Sequence, residues 1–95
     1  HNIIKESEDV YIVKGLTPLE EIEDVLGIVF DEEEVDTLNG FLISKIERIP
    51  AKGERTKVIY GDCLFQVLEV DGKIISLVKI IKNIAIEENS WDEED

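Results

Sequence analysis

From residue 36 to residue 80 the chain reads DTLNGFLISKIERIPAKGERTKVIYGDCLFQVLEVDGKIISLVKI, a helical period, a Pro/Gly loop and three β-rich runs. This stretch constrains the fold most, because strands joined by tight turns can pair only as an antiparallel meander. The runs cover 56–60, 63–70 and 74–82, and the turns Gly61-Asp62 and Asp71-Gly72 each bring a residue that tolerates positive φ. In the middle run Cys63, Phe65 and Val67 alternate with Leu64, Gln66 and Leu68, the pattern of a strand with one face toward a core. The last run is apolar on both faces, with Ile75, Leu77 and Ile81 set against Ile74, Val78 and Ile80, and is expected at the centre of the sheet or covered on both sides.

Ahead of the meander, Leu38, Phe41, Leu42, Ile46 and Ile49 recur every three or four residues. They predict a helix that Asp36 or Thr37 caps and Pro50 ends. Gly40 inside it costs about 1 kcal/mol against alanine, so another backbone is expected to pack there. A first helix is expected after Thr17-Pro18-Leu19-Glu20, which reads as a capping box: Thr17 as N-cap, Pro18 at the first helical position and Glu20 at the third. Its apolar face is Leu19, Ile22 and Leu26, acids fill the remainder, and Gly27 supplies a left-handed stop. The β-formers Val10 to Val13 predict a strand before it, and residues 28–30 take no regular element. The expected domain is therefore α+β, with an antiparallel sheet of about four strands packed against two helices in the order β-α-α-β-β-β.

Residues 1–8 are read as a disordered or tag-derived lead, residues 9–86 as the domain, and residues 87–95 as an acidic tail. The absence of an initiating methionine reads as a piece cut from a longer protein. No apolar stretch approaches the roughly 20 residues that span a bilayer. Cys63 is the single cysteine, so no internal disulfide can form, and a reducing compartment follows.

Charge is distributed in three blocks. Residues 1–36 hold 12 acids against Lys5 and Lys14, residues 37–86 hold 8 bases against 5 acids, and residues 87–95 hold 6 acids and no base. A surface of this kind repels phosphate backbones and anionic headgroups, which argues against nucleic acid and membrane-surface partners and leaves cations or basic surfaces. Catalysis by a nucleophile needs a base in reach, and the one imidazole is His1 in the lead; Cys63 is read as a small apolar residue at a strand start. No glycine pattern builds a phosphate cradle. Asp31, Glu32, Glu33, Glu34 and Asp36 are the candidates for a hard cation, as carboxylates suit magnesium and calcium. Their contiguity presets no geometry, so weak, diffuse attraction is expected. Trp91, an indole among acids, is the candidate interaction residue, packing on its own domain or in a partner groove.

Gly15 with Thr17-Pro18-Leu19, Leu26-Gly27, Asp36-Thr37-Leu38 with Gly40, Arg48-Ile49-Pro50 with Gly53, and 65–72, FQVLEVDG, occur together in an order that resembles the CorC/HlyC transporter-associated domain. The likeness covers residues 9–80. It implies a non-catalytic accessory or regulatory module at the cytoplasmic face of a hemolysin-like membrane protein, modulating magnesium or cobalt transport. The partners it implies are a CBS-domain pair and a membrane domain of the same parent, with a homodimer and weakly held divalent cations as further expectations. Such domains also look like part of a PCMH-type FAD-binding domain, so a flavin or adenine-nucleotide site is the alternative, by fold analogy alone; no residue here matches a flavin-contacting motif.

Overall fold

A computed structural model describes residues 2–84. The meander forms as its turns require: β3 (Lys57–Tyr60), β4 (Cys63–Asp71) and β5 (Ile74–Ile81) pair antiparallel in sequence. Gly61 and Gly72 take φ of 63° and 68° at the first position of each connection. Because β4 runs through Asp71, the second turn is Gly72-Lys73, one residue later than the sequence suggested. Phe65 and Val67 are buried as the alternation predicts, but the next buried position is Val70. A register irregularity around Glu69 shifts the phase by one residue, as a bulge does.

Two strands precede the helices. β2 (Val10–Lys14) lies antiparallel to β5, and β1 (Ile3–Ser7) pairs with β2, so the sheet has five strands in the order β1-β2-β5-β4-β3. The count is one above expectation because residues 3–7, read as part of a lead, form an edge strand. Its exposed Lys5 and Glu6 hide the strand from a hydrophobic pattern and suit an edge, where charge blunts further pairing. β5 is central, as expected.

α1 (Leu19–Leu26) and α2 (Leu38–Ile46) bury Leu19, Ile22, Leu26, Leu38, Phe41 and Leu42 against Val13, Phe65, Val67, Ile75, Val78 and Ile80 in one core. Gly27 closes α1 at φ 73°. α2 ends earlier than Pro50: Glu47 takes the left-handed conformation at φ 67°, so Ile49 lies beyond the helix and is exposed rather than part of its stripe.

The capping expectation holds for one helix only. Thr37 caps α2, its hydroxyl accepting the Gly40 N–H at 3.1 Å. Thr17 caps nothing: Pro18 is the N-cap of α1, and the Thr17 hydroxyl is buried without a partner. The first helical amides are instead satisfied reciprocally, Leu19 N–H donating to the Asp36 carbonyl at 2.8 Å and Leu38 N–H to the Thr17 carbonyl at 3.0 Å. The close approach expected at Gly40 is likewise found elsewhere. A Cβ on Gly40 would meet Thr37 and Val35 at ordinary contact, 3.5 to 3.7 Å, whereas a Cβ on Gly15 would overlap the backbone carbonyl of Ile75.

Candidate functional site

The reciprocal tie between the helix starts leaves the 31–36 loop beside the first turns of α1. Between them opens a cleft of about 400 Å³ with Glu20, Glu23, Glu32 and Asp36 at its walls and Phe30 in its lining. Each part has a local cause. Gly27 turns the chain out of α1, and Phe30 then drops into the core, stacked on Tyr60 at 6.2 Å and edge-on to Phe41 at 4.9 Å. Glu23 accepts the Phe30 N–H at 2.8 Å, and the Tyr60 hydroxyl accepts the Asp31 N–H at 2.9 Å. The loop is thus pinned at both sides of Phe30.

The acidic run does not act as a unit. Glu32 and Asp36 face the cleft, while Glu33 and Glu34 are exposed at the bend between them. Glu32 is paired with Lys45 from α2 at 2.8 Å, and the Lys45 ammonium lies over the rings of Tyr60 and Phe41 at 5.2 and 5.6 Å. The hydrogen bond to Glu32 raises the pKa of Lys45 above that of an ordinary lysine. Glu20 and Glu23, which sequence reading left on the outer face of α1, are brought to the cleft by their spacing of three and by the position of the loop. That spacing was the available signal; the loop that gives it a partner was not.

Among the described residues no three His, Cys, Asp or Glu side chains converge closely enough to hold a metal ion. The cleft is therefore a concentration of negative field without a coordination cage. Two of its four carboxylates are already engaged, Glu23 with a backbone amide and Glu32 with an ammonium. It fits a flavin or nucleotide poorly, since a pyrophosphate needs donors and meets carboxylates here.

Cys63 is buried at the start of β4, and burial is the main reason its thiol is pushed up to about 11, with the neighbouring Asp62 carboxylate adding to it. It stays protonated at neutral pH, as a packing residue does. A second pinned loop follows α2: Arg48 forms an ion pair with Glu54, which also accepts from Ala51 N–H and the Thr56 hydroxyl. Lys82, just past β5, donates to the Leu26 carbonyl at 2.5 Å and so supplies the cation that the last turn of α1 lacks in its own sequence. Trp91 lies outside the described residues.

Comparison with known proteins decides the family. The CorC_HlyC family model, described as a transporter associated domain, matches residues 4–83. The chain belongs to the CorC/HlyC transporter-associated domain family. The polyamine export protein of Haemophilus influenzae is 36% identical over 84 residues, covering 81% of this chain and 19% of that protein. The chain thus spans about a fifth of that curated relative's length. Two solved structures show the same architecture. A hemolysin domain from Enterococcus faecalis superposes with a TM-score of 0.82 at 22% identity, over 86% of this chain and 98% of that one. The CorC_HlyC domain of a Xylella fastidiosa hemolysin, solved in complex with Mg++ and Mn++, gives a TM-score of 0.72 at 26% identity, over 86% and 98%. Among the described residues of this CorC/HlyC domain, no helix is long and apolar enough to cross a membrane.

Proposed function

We propose that this CorC/HlyC domain is a non-catalytic regulatory module of a membrane transport protein, placed at the cytoplasmic face and docked on the other domains of its parent. In this role it adjusts divalent-cation transport through the field of its acidic cleft. The observation that carries the reading is the cleft itself. Glu20, Glu23, Glu32 and Asp36 from two segments share one wall-lined space in a domain whose family is associated with transporters. A relative solved with magnesium and manganese supports a cation as the regulating species. Carboxylates that attract without a cage respond to local cation concentration over a broad range, which suits a modulator better than a tight store.

The test is thermal unfolding of the chain titrated with magnesium and calcium at low and high potassium chloride. Both ions are expected to raise the melting temperature by similar small amounts at millimolar concentration. High salt, or replacing Glu20, Glu23 and Asp36 with glutamine or asparagine, is expected to remove most of the gain. A magnesium-selective rise that survives high salt would overturn the field mechanism in favour of inner-sphere coordination. No response to either ion would overturn the cation-modulating role.

A further inference from the structure

Both helices pack on one side of the sheet, and the other side carries no element of the described residues. The strand register sorts that open side into rows. Val10, Ile81, Leu64 and Ile59 lie directly opposite one another across β2, β5, β4 and β3, partly buried except for Ile59, which is 62% exposed. In the next row Lys79 on β5 and Lys57 on β3 lie on either side of Gln66. Farther along, Lys14 on β2 and Glu69 on β4 lie on either side of Leu77, and Asp71 is paired with Ile74. Across β5, β4 and β3 the first two rows therefore hold three aliphatic side chains, Gln66 and two lysines, with no acid, in a chain of net charge −13.

Two features make this a track for a partner. β5 presents Leu77 and Ile81 to the open side as well as Val78 and Ile80 to the core, and a central strand apolar on both faces belongs to a sheet covered on both sides. Among the described residues, ion pairs engage Lys45 and Arg48, and neither Lys57 nor Lys79 is in one. These two lysines stand two strands apart, about 10 Å at the usual spacing, which matches the diameter of an α-helix. A helix laid along β4 thus has Leu64 beneath it, Ile81 and Ile59 to either side, and one lysine under each shoulder.

We propose that the β5–β4–β3 part of the open side docks an acidic amphipathic helix of a partner, its apolar stripe on Ile81, Leu64 and Ile59 and its shoulder carboxylates on Lys79 and Lys57. This goes beyond the acidic cleft and its cation response and is independent of them. A single helix feels mainly the lysines under it, because charges farther than about 8 Å are screened at physiological salt. A second copy or an anionic bilayer fits less well, since each sets negative charge against the whole of a −13 chain.

The probe is a synthetic peptide of about 18 residues with leucine at helical spacing along one face and glutamate on both shoulders. Titrated into the 95-residue chain, it is expected to bind saturably and to shift the backbone amide resonances of residues 57–59, 64–66 and 79–81, leaving those of the acidic cleft unmoved. Ile59→Glu is expected to weaken binding by about tenfold or more and Lys57→Glu several-fold. Both side chains are exposed, so circular dichroism is expected to stay unchanged. The same peptide with lysine shoulders is expected to shift residues 20–36 instead. No saturable binding, or binding indifferent to Ile59→Glu and Lys57→Glu, overturns the proposal. So do shifts at these strands with phosphatidylserine vesicles and none with the peptide, which would assign the face to lipid. A dimer in sedimentation that Ile59→Glu dissolves overturns it as well and would assign the face to a second copy.

Discussion

Gly15 shows how one hydrogen atom can decide whether a turn docks. Its N–H donates to Ser76, its carbonyl accepts from Asn39 N–H at 2.6 Å, and the Asn39 side chain in turn accepts the Ile75 N–H at 2.7 Å. Three elements, the end of β2, the start of α2 and the central strand, meet there with no room for a Cβ. Gly15→Ala is expected to destabilise the domain by about 3 kcal/mol, because the obstacle is backbone and cannot rotate away. Gly40→Ala is expected to be neutral or to stabilise by up to about 1 kcal/mol, since the helix gains propensity and the new methyl meets only ordinary contacts. Urea unfolding of both variants measures the pair; equal effects would remove the distinction. The sequence marked Gly40 as the tight position because a glycine inside a helix is visible as a departure from propensity. A glycine in a turn is unremarkable, and what crowds Gly15 is a strand sixty residues away.

At the level of elements, the two threonines before the helices look alike in sequence and differ in role. Thr37 caps α2, so Thr37→Val is expected to cost about 1 kcal/mol. Thr17 buries a hydroxyl with no partner, so Thr17→Val, which keeps shape and removes the polar atom, is expected to leave stability equal or higher. A melting-temperature comparison that finds Thr17→Val the more harmful would contradict this assignment. The elements themselves were largely legible. The hairpins, the helix starts, the Gly27 stop and the central place of β5 follow from turn residues and periodicity, which act over a few neighbours. What escaped is set by distant partners: β1 exists because β2 offers it an edge, the slip in β4 leaves no compositional mark, and Glu47 ends α2 without the glycine that would announce it. The cleft escaped for the same reason, since its acids come from a helix and a loop that only the tertiary fold brings together.

For the whole molecule, acid is the informative perturbation. Glu54 is held down to about 2, first by its hydrogen bond to Arg48, then by Thr56 and the Ala51 amide, and this network pins the loop between α2 and β3. A carboxyl depressed in the folded state contributes stability at pH above its unfolded value, near 4.5, and that contribution fades as pH falls toward 2. Wild type is therefore expected to lose more stability between those limits than Glu54→Gln, with the two curves converging at the acid end; the group is exposed, so the difference is small. Parallel acid-unfolding curves would show that the network does not couple to folding. The order of strands carries a last consequence. Val10 pairs with Ile81, so the first core strand finds its neighbour only in the last one. On a ribosome, the β1–β2 hairpin and both helices must wait for β5 to emerge before the sheet can close, and the domain commits to its fold only once that strand is free to pair.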